Sequence, residues 1–67
     1  MLTLREWRRA KDISQEAMAG LIGVHPNTYR LWEQETGRIP IGKAVMIADT
    51  LGVPFADINF MPEKSTK

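Results

Sequence analysis

Residues 14–33, SQEAMAGLIGVHPNTYRLWE, decide how this chain folds. Ser14 is a strong N-cap, because its hydroxyl accepts from a first-turn N–H that has no partner inside the helix. A helix is expected over Gln15–Ile22, burying Met18, Ala19 and Ile22 with Leu21 at the edge. Ala19 is small and admits a close neighbour. Gly23 follows, where a helix exit calls for a positive φ. Gly23-Val24-His25 is the turn. Pro26 opens a second helix, since its fixed φ and missing N–H suit the first helical position. Along that helix, Pro26 to about Gln34, each residue turns by about 100°. Tyr29 and Trp32 therefore point one way, toward a core, and Asn27, Arg30, Leu31 and Gln34 point the other. In the outward set only Leu31 is apolar.

Two short helices about a glycine-containing turn make a helix-turn-helix unit, whose second helix commonly enters a DNA major groove. Stacking of Tyr29 and Trp32 on bases is the alternative to core packing, but it belongs to single-stranded binding. Upstream, Thr3-Leu4-Arg5-Glu6 is a capping box. Helix 1 is expected from Leu4 to about Lys11, with Leu4, Trp7 and Arg8 on one face. Arg5 and Arg9 read as plain surface charge, and Ile13 as a core plug before Ser14. Downstream, Glu35–Pro40 read as a loop. Helix 4 is expected from Ile41 to about Thr50, through Ile41, Ala44, Val45, Ala48 and Leu51, with Ile47 beside them. Gly52 ends it. Pro54 is expected to start a short helix 5, from which Phe55 and Ile58 close the core. No alternating run of β-formers occurs, so no strand is expected. Residues 1–60 then form one domain and 61–67 a frayed polar tail.

Composition narrows the function. A chain of 67 residues buries only about 60% of its unfolded surface, so it folds with little margin. It has no cysteine and one histidine, which leaves no thiolate or histidine-cluster metal site. No apolar run approaches the roughly 18 residues of a membrane span, and the start, MLTLREW, lacks a signal-peptide core. A cytoplasmic protein is expected. Net charge is +1, which argues against strong sequence-independent DNA binding and for a modest footprint. Three Asp and five Glu are scattered, and His25 has no nearby partner to make it a base. Gly20, Gly23 and Gly37 follow no strand and make no phosphate loop. Neither an enzyme nor a cofactor is indicated.

The ordered set Leu4-Arg5, Ser14-Gln15-Glu16, Met18-Ala19, Ile22-Gly23-Val24, Thr28-Tyr29, Trp32-Glu33, Ile47-Ala48 and Leu51-Gly52-Val53 resembles the Cro/repressor helix-turn-helix family of phages and bacteria. The likeness covers roughly residues 2–60. It implies an all-α, compact five-helix bundle of the lambda-repressor-like type. It also implies sequence-specific binding of a double-stranded DNA operator by a phage Cro-like or small repressor. Family positions matching Arg8 and Glu33 pair a cation with a carboxylate across helices 1 and 3, so an Arg8–Glu33 ion pair is implied here. Two departures stand out. Gln34-Glu35-Thr36 separate Glu33 from Gly37, a loop two residues longer than usual, and Pro26 replaces a polar residue.

Helix 3 then supplies the base readers. Asn27 suits adenine, Arg30 guanine and Leu31 a thymine methyl, while His25 shares the N-terminal reading. Gln15, Thr28, Arg38 and Lys43 are the phosphate candidates. Gln15 reads either as a clamp at the start of helix 2 or as a solvated first-turn residue. Lys43 reads equally as a phosphate contact or a solvated lysine. Two-fold operators require a dimer. Phe55, Ile58, Phe60 and Met61 are the candidates for a weak one, although Phe60 reads equally as a core residue over helix 1. A rival function is an antirepressor or antitoxin-like module that grips another regulatory protein. Low net charge and an outward Leu31 keep that reading open.

Overall fold

A computed structural model describes residues 1–60. Met61 and the expected polar tail lie outside the described residues. Leu2–Thr3 (β1) leads directly into α1, Leu4–Ala10. Three more helices follow: α2 at Gln15–Ile22, α3 at Pro26–Gln34 and α4 at Ile41–Leu51. Single 3-10 turns form at Thr36–Arg38 and Phe55–Asp57, and the chain then extends through Ile58–Asn59 (β2).

Local chemistry accounts for the helix ends. Glu6 N donates to Thr3 Oγ1 at 3.2 Å and Thr3 N to Glu6 Oε1 at 2.9 Å, completing the capping box. Ala17 N donates to Ser14 Oγ at 3.0 Å. Gly23 closes α2 at φ 75°, a conformation that costs any residue with a Cβ. Between α1 and α2, Asp12 takes φ 62°, which aspartate tolerates better than most residues. That turn brings the Ile13 carbonyl back to Arg8, whose Nη1 donates to it at 2.7 Å.

Two expectations about the elements themselves are corrected. The fold is not five helices: the segment after Pro54 makes one 3-10 turn. It is also not all-α, because β1 and β2 pair in parallel, Leu2 opposite Ile58 and Thr3 opposite Asn59. Strands of two residues have no period to read, and here the partners lie at opposite ends of the described chain. Trp7 Nε1 reinforces the closure by donating to the Asp57 carbonyl at 3.0 Å.

The core is Leu4, Met18, Ala19, Ile22, Tyr29, Ile47, Ala48, Leu51 and Ile58. Each of the larger aliphatic side chains contributes about 1.5–3 kcal/mol by leaving water. Met18, Ala19 and Ile22 are buried as expected, and Leu21 is exposed. α4 keeps only part of its expected buried stripe. Ile47 lies in the core, whereas Ile41 is 69% exposed and Val45 is exposed too. Of the expected stripe through 41, 44, 45, 48 and 51 with 47 beside it, residues 44, 48 and 51 are buried together with 47, and packing on α2 leaves 41 and 45 outside. Tyr29 is fully buried, but Trp32 is only partly so. Ile58 closes the core, from β2 rather than from a helix. Phe55 stays 41% exposed. Its ring stacks on that of Phe60, with centroids 5.2 Å apart, and Phe60 packs partly against the core.

Candidate nucleic-acid interface

Glu33 is the fixed point of α3. Its side chain is wholly shielded from solvent. Arg8 Nε donates to Oε2 at 2.5 Å and Nη2 to Oε1 at 3.3 Å, a two-pronged pairing across α1 and α3. Tyr29 Oη donates to Oε2 at 2.6 Å, and Gln15 Nε2 to Oε1 at 3.0 Å. Arg5 adds a further charge, its Nε 3.7 Å from Oε1. The Arg8–Glu33 pair implied by the resemblance is present. Tyr29, Gln15 and Arg5 as its companions were not foreseen. Their signal was weak: Tyr29 and Glu33 are one helical turn apart, but Gln15 and Arg5 reach Glu33 only through tertiary packing.

Electrostatics follow from this shell. Burial alone would push the Glu33 carboxyl upward, but hydrogen bonds from Arg8, Tyr29 and Gln15 outweigh it and hold the group below its ordinary value. The hydrogen bond to Glu33 raises Arg8, against the opposing effect of burial. Burial, with the nearby carboxylate, pushes the Tyr29 hydroxyl far above the usual phenol range. The network is thus ionised at its Arg8 and Glu33 ends and neutral at Tyr29.

The outer side of α3 carries the expected readers. Asn27, Thr28 and Leu31 are exposed and Arg30 is half-buried. Arg30 Nη2 donates to Asn27 Oδ1, and Nη1 lies 3.4 Å from Glu16 Oε2 on α2. His25 is the N-cap of α3, with Nδ1 accepting from Asn27 N at 3.0 Å. An accepting Nδ1 leaves the ring proton on Nε2 in the neutral form. Histidine is not among the preferred caps, so only the following Pro26 hinted at this role.

The phosphate candidates are dispersed in their tasks. Gln15 is bound to Glu33 and is not an ordinary solvated residue. Lys43 Nζ donates to the Ile22 carbonyl at 2.8 Å, placing a cation at the C-terminal end of α2. Arg38 is exposed beside Glu35, with Nε and Oε1 2.5 Å apart. Thr28 faces solvent. Glu35 breaks α3 at φ −131° and ψ 74°, and the longer loop coils into the 3-10 turn that carries Arg38. Thr36 Oγ1 ties this turn to the Phe60 carbonyl.

A helix-turn-helix family model matches residues 4–58, nearly all of the described chain. The chain belongs to the Cro/CI-type helix-turn-helix family. Members of the Cro/CI-type family are DNA-binding regulators and generally not enzymes. The matched span opens at the first residue of α1 and ends at Ile58 in β2. No curated protein and no solved structure matches the chain. Among the described residues no helix is long and apolar enough to cross a membrane, and no group of His, Cys, Asp and Glu could hold a metal ion.

Proposed function

We propose that this Cro/CI-type domain is a small, phage Cro-like or repressor-type regulator that acts in the cytoplasm on a DNA operator. One observation carries the reading. α3 is locked from behind by the Glu33 shell and offers solvent a mostly polar face of Asn27, Thr28, Arg30 and Leu31. A rigid helix with an open polar face suits the major groove. Asn27, Arg30, Leu31 and the outward Nε2–H of His25 read base edges. Gln15, Thr28, Arg38 and Lys43 meet phosphates. The Ala17 amide is taken by Ser14 Oγ, the amides before it lack intrahelical acceptors, and the second N–H of the Gln15 amide can join them. Lys43 has three donors, of which the Ile22 carbonyl takes one.

The operator-bound form is a weak two-fold dimer, with recognition helices about one DNA turn, roughly 34 Å, apart. A second reading, a module that grips another regulatory protein, draws support from Leu31, which is 39% exposed on the same face. A mobility shift on DNA from the protein's own promoter region, with and without a neighbouring regulator, tests both. A shift by the domain alone supports the operator reading. A shift only in the presence of the partner overturns it in favour of the second.

A further inference from the structure

One guanidinium on the outer side of α3 joins residues from two helices. Arg30 Nη2 donates to Asn27 Oδ1, and Nη1 lies 3.4 Å from Glu16 Oε2. Arginine has five N–H donors and no acceptor. Asn27 therefore turns its carbonyl toward Arg30, and its amide N–H groups point away. An asparagine recognises adenine with both ends at once, accepting from N6 and donating to N7. Here the accepting end faces the protein's own cation rather than the groove. An adenine N6 amino group brought there would also meet a guanidinium, donor against donor. Guanine presents only acceptors, N7 and O6, on its major-groove edge.

We propose that Glu16 and Arg30 set the base preference of Asn27: Glu16 anchors Arg30, and Arg30 with Asn27 presents only N–H donors, selecting guanine over adenine at the base Asn27 faces. Glu16 is a positioning residue in this scheme, whereas Arg30 both faces the groove and orients Asn27. Glu16 holds the guanidinium from α2, and Arg30 holds the Asn27 carbonyl. The assignment to adenine that residue type alone suggests for Asn27 is thereby reversed. This inference rests on the reading that α3 enters a DNA major groove.

Selection from a randomised double-stranded DNA library tests it, using the full chain and its Asn27→Ala, Arg30→Met and Glu16→Gln variants. All three positions are at least partly solvent-exposed, and circular dichroism checks that each variant folds. Asn27→Ala identifies the position that Asn27 reads, as the one whose preference it flattens. The wild type is expected to favour guanine over adenine there by about tenfold or more, the scale of a good base contact. Arg30→Met keeps the aliphatic stem but frees the Asn27 carbonyl, and is expected to move that position toward adenine. Glu16→Gln is expected to lower the guanine-to-adenine ratio partway. A wild-type preference for adenine, or an unchanged preference in Arg30→Met, overturns the inference while leaving DNA binding intact. Failure of the wild type to enrich any sequence overturns the operator reading, and this inference with it.

Discussion

Glu33 shows how a buried charge can be kept and what it does there. Its solvation is replaced by Arg8, Tyr29 and Gln15, and removing its charge leaves Arg8 buried without a counter-ion. Glu33→Gln is expected to cost about 3–5 kcal/mol, read as a lower denaturant midpoint. Tyr29→Phe keeps the packing and loses one hydrogen bond to a charged acceptor, so about 1.5–3 kcal/mol is expected. Acid should act through the same carboxylate. Its folded value lies below the ordinary 4.5, so below that value the unfolded state binds more protons than the folded one. The stabilisation is complete above the unfolded value and is lost as pH falls through the folded one. Melting temperature should drop with acid in that window, and the Glu33→Gln domain should show a shallower acid limb. Equal slopes would place the acid sensitivity elsewhere.

Among the elements, α2 combines a favourable and an unfavourable glycine. Gly23 sits at φ 75°, and Lys43 Nζ would lie 3.9 Å from a Cβ added there. Gly23→Ala is expected to destabilise by about 1–2 kcal/mol through backbone strain alone. Gly20 is helical, and an added Cβ would meet nothing within 4 Å. Gly20→Ala should therefore stabilise the domain by about 0.4–1 kcal/mol, chiefly by reducing the freedom of the unfolded chain. Thermal melts of the two variants should move in opposite directions. α2 was fully legible beforehand, since its cap, its exit and its buried face are all local to the helix. α4 was legible in extent and only partly in phase. Ile41 and Val45 are as apolar as the residues that are buried, and only the position of α2 decides which stripe faces inward.

Over the whole molecule, the ends of the described chain meet through the β1–β2 pair and the Trp7–Asp57 hydrogen bond. That closure changes the expectation for self-association. Ile58 is committed to the core, while the Phe55–Phe60 stack lies at its margin with Phe55 exposed. An isologous contact through this stack would bury the same patch on both copies. Sedimentation over a concentration range should show wild-type self-association on operator DNA and its loss in Phe60→Ser. If wild type and variant are both monomeric on operator, the contact lies elsewhere. A much lower melting point of a monomeric Phe60→Ser domain would assign Phe60 to the core instead.

By itself the sequence determined whatever depends on neighbouring residues: the Thr3 and Ser14 caps, the left-handed Gly23, the helix stop at Gly52, the Pro26 helix start and the inward Met18, Ala19, Ile22 and Tyr29. Each is set by sterics or hydrogen bonds within about one helical turn. The Arg8–Glu33 pair was legible only through family likeness. Tertiary structure alone decided the partners of the other site residues. Lys43 finds the Ile22 carbonyl, Gln15 finds Glu33, and Arg30 finds Glu16 across α2 and α3. A long polar side chain has many rotamers and several acceptable acceptors. Which one it takes depends on where the packing of an apolar core brings another helix, and the spacing of the polar residues carries no record of that.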